Sequence, residues 1–262
     1  ADTEGEVNSQ LGTPTEAVTS SEPSPEDTDT QPPSFSTLFK DGITNANKSE
    51  ILSLDKQLEK QLYQDPSNTD YLKQYAELQY HLGHIDNSLT LYYQYLSMVP
   101  NDVTVMSRVG DTHRRLGQFD KCINVLEKAY PIEPKDLTII SNLATAYRAK
   151  KQYKKAEFLL QRGLSFNPKD SNLLILLAQC FNKQNLPEKG EETIRKQLFM
   201  SPDHIPALII LTESLLIQHR TIDAESSLKR AETLDTLNKH THLLGKLRHI
   251  IEKTYSANLL TD

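Results

Sequence analysis

The chain has 262 residues, only nine glycines, no Trp and a formal net charge of −6. That composition suits helices more than glycine-punctuated strands, and the lack of any long apolar run excludes a membrane-spanning helix. The charge is uneven: residues 1–34 hold eight acids and no Lys or Arg, leaving 27 acids against 29 bases in residues 35–262. This balance gives no footprint for nucleic acid, which needs a strongly cationic face.

Residues 1–34 are rich in Ser, Thr, Pro and Glu, with Leu11 among the few large apolar side chains. They cannot offset the entropy of ordering, which predicts a disordered acidic tail or linker. The start at Ala1 instead of Met favours removal of a leader and hence an exported or periplasmic protein, with the cytoplasm as the alternative. Membrane attachment is expected only if an anchor preceded Ala1. Asn47-Lys48-Ser49 fits a glycosylation acceptor, a pattern common by chance. Phe35, Leu38 and Phe39 stand at helical spacing and are expected to pack on the first helix of the body, a partner-binding motif being the other reading. Asn47 can cap a helix with Glu50 three residues on, and Ile51, Leu54, Leu58 and Leu62 follow on one face up to Asp65-Pro66. Residues 35–68 therefore read as an N-terminal helical segment with a partial repeat.

Pro66, Pro100, Pro134, Pro168 and Pro202 then stand 34 residues apart. A fixed period in this range, with helical patterning between the marks, is the signature of stacked helical units. Counted from three residues after each proline, five units cover 69–102, 103–136, 137–170, 171–204 and 205–238. The third is the clearest: Ile140, Leu143, Ala144 and Tyr147 share one side of a first helix, a polar turn follows, and Tyr153, Ala156, Leu160 and Leu164 line a second. Ala76, Gly110, Ala144 and Ala178 occupy the eighth place of the first four units. Ser88, Cys122, Ala156, Gly190 and Ala224 occupy the twentieth of all five. Two helices can cross closely only where side chains are small.

With an aromatic at the eleventh place and proline at the thirty-second, the pattern over residues 69–238 resembles the tetratricopeptide repeat family. The resemblance implies an all-α fold, a right-handed α-solenoid of helix hairpins. Three departures fall in the outer units: Gln79 replaces the first aromatic, Thr212 takes the small place of the fifth unit, and Thr236 stands where the next proline would be. Pro131 is expected to shorten a second helix, while Pro187 and Pro206 sit near helix starts, where a missing N–H costs little. Leu243, Leu244, Leu247, Ile250 and Ile251 form an apolar stripe that predicts a C-terminal capping helix over residues 239–255, followed by a tail at 256–262.

In the resembled family the first helices line a concave groove that holds an extended peptide or a partner helix. Carried over place by place, the candidate partner-binding residues are Lys73, Tyr80, Arg114, Arg115, Ser141, Thr145, Arg148, Gln179, Asn182 and Lys183. Arg114, Arg115, Arg148 and Lys183 would form a basic column suited to an acidic segment or a free chain end, since Arg holds a carboxylate through two parallel hydrogen bonds. Their alternative is an ordinary solvated surface. The family's chaperone-terminus clamp is not expected, because Glu77 follows Lys73 where its pattern needs Asn. Ile175, Ile209, Leu216 and Ile217 form an apolar stretch that either binds a partner or meets the capping helix. The acidic tail is a further candidate occupant of the groove, in competition with the ligand.

Catalysis needs a positioned nucleophile, acid or base, and no such constellation stands out; no Gly-rich phosphate loop, Cys-x-x-Cys or His-Glu-x-x-His occurs. Cys122 and Cys180 read as small buried hydrophobes. His81 and His84 lack a third ligand, and His240 and His242 point apart, so no metal and no cofactor is expected. The sequence thus predicts a non-catalytic scaffold or adaptor for a protein or peptide, with no nucleic acid and no small-molecule substrate. By analogy alone its setting would be an exported assembly, a secretion, pilus or cytochrome-maturation system. Self-assembly into a structural oligomer is the alternative.

Overall fold

A computed structural model describes residues 48–259. The expected tail, the segment around Phe35, Leu38 and Phe39, the cap at Asn47 and the last residues of the C-terminal tail lie outside the described residues. The chain divides into two units, residues 1–54 and 55–262. Of the first, the described part is Lys48–Leu54, the opening of helix α1 (Lys48–Gln64).

The second unit is helical, and no strand occurs among the described residues. Its hairpins are α2 (Thr69–His81) with α3 (Ile85–Met98), α4 (Val103–Arg115) with α5 (Phe119–Ala129), and α6 (Leu137–Ala149) with α7 (Tyr153–Phe166). They continue with α8 (Ser171–Lys183) and α9 (Pro187–Met200), then α10 (Ile205–Ile217) and α11 (Thr221–Leu234), and α12 (Thr241–Leu259) closes the stack.

Local chemistry sets the period. Two residues after each proline, the side chains of Asn68, Asp102, Asp136, Asp170 and His204 accept hydrogen bonds from the first free N–H groups of α2, α4, α6, α8 and α10. Each first helix ends in a tight turn through a residue at positive φ: Gly83, Gly117, Lys151, Asn185 and His219. The turn reverses the chain within three residues, and the second helix starts 16 residues after the first in every hairpin. Pro131 stops α5 at Ala129, and Pro187 and Pro206 stand in the first turns of α9 and α10.

Packing follows the small residues. Ala76, Ala144, Ala178, Cys122, Ala156 and Ala224 are essentially inaccessible. A Cβ added to Gly110 would lie 2.3 Å from Leu126 Cδ2, and one added to Gly190 would lie 2.4 Å from Asn182 Oδ1. Gly163 approaches Leu173 nearly as closely, so the second helix also needs a small residue where it meets the next hairpin. The core runs along the stack as three clusters, around Tyr92 and Val109, around Ile140 and Leu160, and around Ile210 and Leu228. First helices of successive hairpins touch, α4 on α6, α6 on α8 and α8 on α10, and second helices do not pack on one another comparably. The first-helix layer is therefore the tighter one.

The departures have physical reasons. Gln79, in place of an aromatic, is buried and bonds Asp55 Oδ1 at 2.6 Å and His84 Nδ1 at 2.8 Å, which ties α1 to the first turn. At the same place in the next unit stands His113, also buried. Its Nδ1–H donates to Gln118 Oε1 at 2.8 Å, so Nε2 accepts from the Tyr93 hydroxyl at 2.7 Å, and burial lowers its pKa. Thr212 is accommodated because its hydroxyl donates to the Leu208 carbonyl.

Helix α12 buries Leu244, Leu247 and Ile251 over the last hairpin, with Leu243 and Ile250 about half exposed. Asp235 accepts from the Lys239 and His240 N–H groups at its start. Arg248 bonds Glu232, and the Tyr255 hydroxyl donates to Glu225. An open stack end would leave apolar surface in water, and this helix covers it.

Candidate docking surface

The candidate residues lie on the first helices of four hairpins, α2, α4, α6 and α8. Lys73 Nζ donates to Asp102 Oδ2 at 2.7 Å, as does the Tyr95 hydroxyl at 2.7 Å. Burial raises the Asp102 pKa, but the bonds from Lys73, Tyr95 and the Val105 N–H outweigh it, and the net direction is down. Tyr80 lies under the Arg108 guanidinium, 5.0 Å from its ring centre, and Arg108 in turn bonds Glu77 at 2.7 Å.

The basic column is partly neutralised from within. Both Arg114 and Arg115 bond Asp111, at 2.7 Å and 2.8 Å, one helical turn before them. Arg148 donates to Gln179 of the next hairpin. Lys183 is exposed, and it and Arg148 both act on Glu213, which stands one repeat beyond Gln179. Burial raises the Glu213 pKa while those two cations lower it, and burial prevails. Arg148, Gln179, Lys183 and Glu213 are thus one constellation across three hairpins. Ser141 donates to the Thr138 carbonyl and Thr145 to the Ser141 carbonyl, so both hydroxyl protons are held by their own helix.

Asn182 departs from the expectation. It is buried, its Oδ1 accepting from the Ser214 hydroxyl at 2.9 Å, because the missing side chain at Gly190 leaves room for it inside. In the apolar stretch, Ile209 is buried in the cluster that includes Leu244, Leu247 and Ile251 of α12, with Ile175 and Leu216 packed against it. Contact with the cap therefore accounts for much of that stretch. Sequence reading had passed over Glu213 as a member of the charged constellation and Asp111 as the partner of both arginines; spacing of three and four residues on a helix was the available signal for Asp111.

A pocket of about 250 Å³ opens beside this surface between the ends of α2 and α4, lined by Tyr80, His81, Ile85, Thr112, Arg115 and Leu116. It sets apolar walls against the Arg115 guanidinium.

Both cysteines are buried free thiols, pushed up to about 11 by burial, and neither is poised as a nucleophile. Among the described residues no group of three or more His, Cys, Asp or Glu side chains could hold a metal ion, and no helix is long and apolar enough to cross a membrane.

Helix hairpins stacked at a fixed 34-residue interval define a helical-repeat protein. Comparison with family profiles matches residues 113–180 to the tetratricopeptide repeat, and residues 149–231 to the anaphase-promoting complex, cyclosome, subunit 3. No curated protein matches in sequence. Among solved structures, a tetratricopeptide repeat protein from Parabacteroides merdae superposes with a TM-score of 0.69 at 16% identity, over 85% of this chain and 87% of its own. YrrB, described as a TPR protein with an unusual peptide-binding site, gives 0.60 at 16% identity over 73% of this chain and 97% of its own. MamA gives 0.60 at 18% identity over 65% and 93%. Residues 113–180 are thus of the tetratricopeptide repeat type, and the chain shares the fold of these solved repeat proteins.

Proposed function

We propose that this protein is a non-catalytic scaffold whose first-helix face docks an acidic peptide or partner helix. The repeat fold implies protein–protein interaction. The observation that carries the finer reading is the constellation of Arg148, Gln179, Lys183 and Glu213, which presents two cations from neighbouring hairpins beside a single half-buried carboxylate. Arg114 and Arg115 extend it, held in place by Asp111. Lys73, Tyr80, Ser141 and Thr145 border the same face and would set the path of a bound chain. YrrB, which has a similar fold, is described as having a peptide-binding site, and this supports peptide binding by such a fold.

The test is fluorescence anisotropy of a labelled peptide of alternating Glu and Ser, titrated with the full chain. Binding should weaken as salt is raised, since the groups are partly exposed. Arg148→Glu should weaken it roughly tenfold with unchanged circular dichroism. An Arg148→Glu protein that binds the peptide like the parent would remove the reading.

A second reading, self-association, is favoured by Leu243 and Ile250, which stand about half exposed on the outer side of α12. Mass measured across concentration distinguishes the two: a monomer at high concentration removes self-association and leaves the scaffold reading intact.

A further inference from the structure

A second pocket lies on the other layer of the stack, in the crevice between second helices α5 and α7, and its volume is about 410 Å³. Leu143 and Tyr147 of α6 line it from beneath, and Leu159 and Phe158 of α7 form one flank. Phe158 is 61% exposed, a large aromatic left in water beside an apolar hollow. Tyr130 also lines the pocket, and its buried hydroxyl makes no hydrogen bond among the described residues. Cations surround this apolar lining. Lys154 and Lys155 line the pocket; Lys155 sits 5.1 Å from the Tyr147 ring centre and Arg162 5.9 Å from that of Tyr130. Neither Lys155 nor Arg162 has a carboxylate partner among the described residues, whereas Lys154 lies 3.7 Å from Glu157, which also accepts from Gln184, and Glu127 is engaged by the Tyr147 hydroxyl.

We propose that this crevice is a second docking site, which takes a Phe or similar large apolar side chain from a segment of another protein flanked by acidic residues. The apolar lining and Phe158 would bury the anchor, the Tyr130 hydroxyl would find a partner in a backbone carbonyl beside it, and Lys155 and Arg162 would meet the flanking carboxylates. Charge complementarity selects the acidic flanks: desolvating unpaired cations against a neutral or basic segment would be unfavourable. The site stands on the opposite helix layer from the Arg148 constellation, so it does not rest on the function proposed above.

The experiment compares two labelled probes on the full chain, a short peptide of Glu, Asp and Ser around one central Phe, and the same peptide with Ala in place of the Phe. The Phe probe should bind about tenfold more tightly, the effect of burying one aromatic side chain in part. Phe158→Ser, at an exposed position that folding does not require, should remove that preference, and Lys155→Glu should weaken the Phe probe further. Arg148→Glu, on the other helix layer, should leave the binding of the Phe probe at the crevice unchanged, which separates this site from the first-helix face. Equal binding of the two probes by the parent protein, a preference that survives Phe158→Ser, or one abolished by Arg148→Glu alone would overturn the proposal.

Discussion

Glu213 shows how a single side chain links the stability of the stack to its surface. Burial raises its pKa above the unfolded value, with Lys183 and Arg148 opposing, so the folded state holds this proton more tightly than the unfolded chain does. The group therefore favours folding most below about pH 4, where both states are protonated, and that contribution is lost as pH rises through the unfolded value towards the folded one. Glu213→Gln should raise stability to urea at pH 7, and the gain should vanish below about pH 4. A variant no more stable than the parent at pH 7 would show that the two cations fully compensate the buried charge. Asp111 is different in kind: it engages with one carboxylate the two guanidiniums that the sequence assigns to a basic column. That pairing was legible, since Arg114 and Arg115 follow Asp111 by three and four residues on one helix. The inward turn of Asn182 was not legible, because it depends on the absence of a side chain at Gly190, on another helix.

At the scale of the helix hairpin, most of the architecture could be read in advance. The small residues at the eighth and twentieth places mark the helix crossing, and the column of Asn68, Asp102, Asp136 and Asp170, two residues after the prolines, marks the starts of the first helices in the first four hairpins. Gly83 and Gly117 mark the turns of the first two hairpins, but Lys151, Asn185 and His219 adopt the same left-handed backbone without a glycine, so the turn has no uniform sequence mark. The close approach at Gly163 also escaped notice, because it lies between hairpins and not within one. Gly110→Ala would press a methyl group into Leu126 and should cost on the order of 1–3 kcal/mol in urea unfolding, and Ala144→Leu should cost a similar amount for the same reason. Unchanged midpoints for both would mean the crossings are looser than the distances indicate.

Across the whole repeat unit, side chains from successive hairpins meet in ladders that no single repeat contains. Lys73 reaches Asp102, Arg108 reaches Glu77, Arg148 reaches Gln179, and Ser214 reaches Asn182. Their separations of 29 to 32 residues differ from the 34-residue period, so the period alone does not reveal these partners. The functional claim lives at this scale: the face is basic in its middle and is held back by its own carboxylates. Titrating the Glu–Ser peptide into two variants tests it most directly, because the claim requires opposite changes from substitutions on neighbouring hairpins. Glu213→Gln should bind the peptide more tightly than the parent and Arg148→Glu more weakly; equal affinities in the two would contradict the account.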